Sequence, residues 1–115
     1  WQPDGKAFIP TWLRNTLDNI AHADNANGEL LANYIAKYAE DMWHHFAGLS
    51  TIMAKGGKIH YIVGNSTFYG TLLSTERLYA DMLAELGFTN IDMTAIRKRN
   101  SKKELVEFDV SGRWG

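Results

Sequence analysis

No segment constrains this chain more than Lys58-Ile59-His60-Tyr61-Ile62-Val63. The run is rich in β-branched and aromatic residues and, apart from His60, is apolar at both alternating positions. A strand with one solvated face alternates apolar with polar residues, so a run apolar on both faces reads as internal to a sheet. At an exposed edge its unpaired N–H and C=O groups would invite aggregation. It therefore calls for a hydrogen-bonded neighbour on each flank.

Upstream, residues 8 to 55 read as helices and loop and offer no strand. Phe8-Ile9-Pro10-Thr11 leads into a helical pattern with Trp12, Leu13, Leu17, Ile20 and Ala21 on one side. Proline suits a helix start, where its missing N–H costs nothing. The polar stretch His22 to Gly28 predicts a break, and a long amphipathic helix follows from Glu29. Its expected inward stripe is Leu31, Tyr34, Ile35, Tyr38, Met42, Phe46, Leu49 and Ile52, ended by Lys55-Gly56-Gly57.

Downstream, Gly64-Asn65-Ser66-Thr67 predicts a polar turn, and residues 68 to 73 carry no readable period. Thr75 to Leu86 predicts a helix with Ser74 as N-cap, Glu76 near the positive end of the dipole and Gly87-Phe88 as its terminator. Ile91, Met93 and Ala95, then Val106, Phe108 and Val110, alternate with polar residues and predict an antiparallel hairpin. The expected fold class is α/β: helices, a parallel strand–helix–strand unit and a closing hairpin that inserts one antiparallel strand into the sheet. One flank of the segment 59–63 pairs with that hairpin. The other neighbour is expected from sequence outside this chain or from another chain, against the alternative of a self-contained three-stranded sheet. The chain opens Trp1-Gln2-Pro3-Asp4-Gly5 without an initiator methionine, and we expect Trp1 to be an interior position of a longer protein. Residues 1–28 are read as a loop and helix leading into the domain, and 29–115 as the domain itself.

Composition excludes several classes. The sequence holds no cysteine, so disulfides and thiolate chemistry are absent. No apolar run approaches the roughly 20 residues that cross a bilayer. Neither of the adjacent histidines His44 and His45 has a convergent ligand set, so no metal is expected. A cytoplasmic setting is expected. The 12 basic and 13 acidic residues give a net charge of -1, yet Arg97, Lys98, Arg99, Lys102 and Lys103 fall within seven positions free of acid. Such a cluster either grips nucleic-acid phosphates or is a solvated turn.

Gly64, Asn65 and Ser66 follow the carboxyl end of the segment 59–63, where open α/β sheets place ligands. Asn65 either meets a ligand or caps its turn. Phe68 and Tyr69, in the loop beyond, are further substrate-contact candidates. Tyr38 and Trp43 suit core packing better than base stacking, and His60 reads as a satisfied core histidine.

The segment Met53 through Asn65 resembles the approach to the fifth strand of class I, Rossmann-like S-adenosylmethionine-dependent methyltransferases. Leu86-Gly87-Phe88 followed by an antiparallel pair is similar to their close. Within that superfamily, Val63-Gly64-Asn65-Ser66 and Ile96-Arg97-Lys98-Arg99-Asn100 resemble bacterial DNA modification methylases of the amino-methylating kind. The likeness covers about residues 30 to 113. It implies the carboxy-terminal half of a methyltransferase sheet, carrying part of the target-base wall (Gly64, Asn65, Ser66, Phe68, Tyr69) and a DNA-facing hairpin (Arg97, Arg99, Lys102, Lys103). The family's glycine-rich cofactor loop and Pro-Pro-aromatic motif are missing here, because Pro3 and Pro10 are the only prolines and are not adjacent. S-adenosylmethionine would then be bound mainly by the other half, and this chain alone would be inactive. An RNA methyltransferase of the same architecture, or a non-catalytic nucleic-acid-binding module, would carry the same features.

Overall fold

In the computed structural model, residues 8–23, 27–98 and 105–115 are described. Pro10 opens the first helix, its carbonyl accepting the N–H groups of Leu13 and Arg14 at 3.0 and 3.2 Å. Helix α1 (Thr11–Ala23) buries Leu13, Leu17 and Ile20 at helical spacing. Its Trp12 indole N–H donates to Asp81 at 2.7 Å, and the Arg77 guanidinium lies 4.8 Å from the centre of the same ring system.

Helix α2 (Gly28–Ser50) packs on α1 through small residues. Gly28, Ala32 and Ala39 are buried with Ile35 and Phe46, and a Cβ at Gly28 would stand 2.6 Å from the Ile20 carbonyl oxygen. The expected stripe is corrected on two counts. Tyr34 is 69% exposed and Ile52 78%, and the helix stops at Ser50, ahead of the glycine pair. Two phenols that score as apolar pulled the sequence reading toward the wrong side, while the alanines mark the true contact.

Strand β1 (Lys58–Gly64) is followed after one residue by a small hairpin, β2 (Ser66–Phe68) and β3 (Thr71–Leu73). The hairpin occupies the stretch in which the sequence showed a turn and then no period. Its two-residue turn, Tyr69-Gly70, has φ of 51° and 79°, the positive values that a type I′ connection requires at both positions. Helix α3 (Thr75–Leu86) has the predicted bounds and buries Leu78, Tyr79, Met82 and Leu83. Gly87 ends it at φ 102°, with Phe88 N–H bonding back to the Leu83 carbonyl at 3.0 Å and the Phe88 ring buried. The Ser74 hydroxyl makes no capping bond, contrary to expectation; the Ser74 carbonyl accepts from Arg77 and Leu78 instead.

Strands β4 (Thr89–Lys98) and β5 (Val106–Arg113) form the expected antiparallel pair, while the expected turn at residues 100–103 lies outside the described residues. The main sheet has the order β1-β5-β4. Both outer strands are antiparallel to β5, so β1 and β4 point the same way with β5 between them. The fold is thus mixed α/β, with three helices and two antiparallel sheets among the described residues.

The helices lie against the sheet face that carries Tyr61, Val110 and Gly112. Phe46 meets Tyr61 and Tyr79 edge-on, each at 5.2 Å between ring centres, and a Cβ at Gly112 would stand 3.5 Å from Leu83. Its opposite face carries His60, Ile62, Asp92 and Thr94, all exposed. Two sequence expectations change here. Among the described residues β1 is an edge strand, with Ile62 61% exposed, and not an internal one. His60 is no core histidine; it gives its Nδ1–H to the Asp109 carboxylate at 3.1 Å on the exposed face.

Candidate functional site

The carboxyl end of β1 is fixed by one side chain. Asn65 N–H donates to the Val106 carbonyl at 3.2 Å, and Asn65 Oδ1 accepts the Val106 N–H at 2.8 Å. This buried amide therefore prolongs the β1–β5 ladder by one step and ties the start of β5 to the end of β1. Neither reading of Asn65 named this partner, which lies 41 residues along the chain on another strand.

Directly beyond lies a cavity of about 340 Å³. Val63, Gly64, Ser66 and Phe68 line one side, Leu73 and Thr75 the floor of the hairpin and of α3, and Tyr34, Ile35 and Tyr38 of α2 the other. Three of the five expected substrate contacts, Gly64, Ser66 and Phe68, thus share one cavity. Asn65 and Tyr69 stand apart from it: the first is committed to Val106, and the second is exposed at the hairpin tip. Sequence reasoning placed Tyr34 and Tyr38 in the core stripe and missed them as cavity wall. The available signal was the spacing Leu30, Tyr34, Tyr38, a second row offset from the alanine row. Leu30, Asn33, Tyr34 and Lys37 border a shallower depression of about 280 Å³ that meets the cavity at Tyr34.

The lining is mostly apolar and aromatic, and the volume sits at the low end of small-ligand pockets. Its polar groups are few: the Ser66 and Thr75 hydroxyls and two phenols. Tyr38 hydrogen-bonds the Tyr79 hydroxyl beneath it. Burial first, and then that bond, raise the Tyr79 phenol well above its ordinary range, so it keeps its proton. Tyr61, 2.6 Å from His45 Nε2, is likewise raised by burial. Among the described residues no carboxylate, histidine or lysine lines the cavity, so those that do can stack a flat ring and offer hydroxyls but supply no general base.

Behind Thr75, Glu76 is buried in the first turn of α3, and its Oε1 has no partner among the described residues. Burial raises its carboxyl pKa, against smaller opposing effects of its own backbone N–H and of Arg77. Its predicted benefit from the helix dipole is thus offset by lost hydration.

At the same end of the sheet, where Glu107 is the register partner of both Gly64 and Arg97, Arg97 reaches across to Glu107, with Nε–H donating to Oε1 at 3.1 Å and Nη2 also 3.1 Å from that oxygen. Arg97 therefore has a structural partner in this chain. Arg99, Lys102 and Lys103 lie outside the described residues. The described residues hold no group of three or more His, Asp or Glu that could bind a metal ion, and no described helix is long and apolar enough to cross a membrane. Compared with protein-family models, curated proteins and solved structures, the chain matches none.

Proposed function

We propose that this chain is the carboxy-terminal half of an S-adenosylmethionine-dependent DNA methyltransferase of the amino-methylating kind. It completes the sheet and supplies part of the wall for the target base. The strand order carries this reading: β1 and β4 run in the same direction, α3 connects them, and β5 lies antiparallel between them. That is the closing arrangement the sequence resemblance implies for a Rossmann-like domain.

Two further features support it. The outer flank of β1 has no strand partner among the described residues, which suits a neighbour from the preceding half of the domain or from another chain. The aromatic cavity stands at the carboxyl end of β1, where sheets of this class receive ligands. A base extruded from the duplex would lie against Tyr34, Tyr38 and Phe68, with Ser66 and Thr75 beside its polar edge. The basic run of the sequence from Arg97 to Lys103 would face DNA phosphates.

The cofactor does not fit this chain by itself. No glycine-rich loop follows β1, and among the described residues the cavity has no acidic side chain for ribose hydroxyls. We therefore assign cofactor binding and the chemical step to the other half, and no catalytic residue to this one. Cytoplasmic DNA is the substrate that follows.

The test is transfer of labelled methyl from S-adenosylmethionine by the complete polypeptide or complex that contains this chain, with duplex DNA and RNA as acceptors. Label on DNA amino groups, and none with this chain alone, is the expected result. Label on RNA only would make the enzyme an RNA methyltransferase. DNA binding without label on either acceptor would replace the enzyme with a non-catalytic binding module.

A further inference from the structure

Lys58 opens β1, Arg113 closes β5, and the register sets them directly opposite each other. Backbone bonds on this ladder fall at odd positions of β1: Trp114 N–H donates to Gly57 at 2.8 Å, and Asn65 N–H to Val106 at 3.2 Å. Lys58 and Arg113 are thus one of the alternate pairs without backbone bonds, whose side chains stand closer together. Like charges so placed destabilise a sheet. Among the described residues neither cation is in an ion pair. The Arg113 guanidinium passes beside Gly56, where a Cβ would lie 3.5 Å from its Nη2.

Hydrogen-bond donors surround the pair. Lys58, His60, Asn90, Ser111, Gly112 and Arg113 enclose a cleft of about 120 Å³ on the exposed side of the sheet. Asn90 enters it at an irregularity in β4, with φ of 51°, a left-handed backbone that non-glycine residues seldom adopt. The nearby carboxylates have other partners: Asp109 takes the His60 Nδ1–H, and Asp92 accepts the Thr94 hydroxyl at 2.8 Å.

We propose that this cleft binds a phosphate group. Lys58 and Arg113 neutralise its charge, the Ser111 hydroxyl and Asn90 amide donate to its oxygens, and the anion turns a repulsive cross-strand pair into an attractive triad. The site lies at the opposite end of β1 from the aromatic cavity and does not depend on the methyl-transfer reading.

Thermal melts at constant ionic strength, with inorganic phosphate replacing chloride, test the site in the wild-type chain, Lys58→Met, Arg113→Met and the charge-preserving Lys58→Arg. Phosphate is expected to raise Tm by a few degrees in the wild type and in Lys58→Arg, and in neither Met variant. Without phosphate, both Met variants should melt at or above the wild type, because the repulsion is gone. A second arm titrates duplex DNA into the complete protein. Weaker DNA binding by the Met variants assigns the phosphate to a nucleic-acid backbone, and unchanged DNA binding beside the Tm effect assigns it to a free phosphate compound. An equal shift in all four proteins, no shift in the wild type, or Met variants that both melt lower without phosphate overturns the proposal.

Discussion

Asn65 does with a side chain what a strand does with its backbone, and that makes its contribution measurable. Asn65→Ala leaves the half-buried Val106 N–H without its acceptor and should cost about 1 kcal/mol in urea unfolding. Glu76 poses the opposite case, a carboxylate that the fold disfavours. Because its folded pKa is raised above the ordinary 4.5, the folded state holds its proton more tightly than the unfolded chain. Stability from this group is therefore full below that value and is lost as pH climbs from there through the raised one. Glu76→Gln should raise Tm at pH 7 by an amount worth about 1 kcal/mol. The gain should vanish in melts below pH 4.5. An equal gain at both pH values would mean that the charge is not the cause.

Among the elements, the aromatic joint between α2, β1 and α3 turns on Phe46, fully buried and edge-on to Tyr61 and Tyr79. Phe46→Ala should cost about 3–5 kcal/mol by denaturant titration, enough to unfold a marginal chain, while Phe46→Leu keeps most of the volume and should remain folded. Elements whose signals are local were legible in the sequence. The bounds of α3 follow from its 3.6-residue period and from Gly87-Phe88, where the left-handed glycine and the returning apolar ring are neighbours in the chain. The β2–β3 hairpin was not legible, because three-residue strands show no period and its turn is Tyr-Gly instead of the usual Asn-Gly. For the same reason the aromatic cavity emerged only in part. Gly64, Ser66 and Phe68 follow from their place after β1, but Tyr34 and Tyr38 arrive from a helix whose rotation depends on how closely Ala32 and Ala39 let it approach α1. His60 was misread because its partner, Asp109, lies 49 residues away.

For the molecule as a whole, the extents of 47 × 37 × 17 Å leave room across the short axis for one sheet and one helix layer. The radius of gyration, 14.8 Å, exceeds the roughly 13 Å expected of a compact chain of this length, so the protein is a slab. Among the described residues its sheet is open along β1, and the ladder's alternation specifies which amides that leaves unpaired. Tyr61 and Val63 face β5, whereas His60 and Ile62 direct their N–H groups outward. In hydrogen exchange, His60 and Ile62 should exchange fast in this chain alone and Tyr61 and Val63 slowly. Protection of the first two in the complete protein would mark the arrival of a neighbouring strand, and uniform protection in the isolated chain would contradict the open flank. That one flank pairs with the closing hairpin was legible from the apolar character of residues 59–63 and from the alternation in the last two strands. Its place at the border was not, since composition shows what a strand prefers to bury and not which neighbours its own chain can supply.

The middle position of β5 has a consequence for synthesis. The strand that joins the other two is translated after both, so β1 and β4 leave the ribosome before the strand that bonds them into one sheet. Premature termination ahead of Val106 would remove the hub of the sheet instead of trimming its rim. Nascent chains of this sequence should therefore stay open to proteolysis until Val106 to Arg113 have emerged.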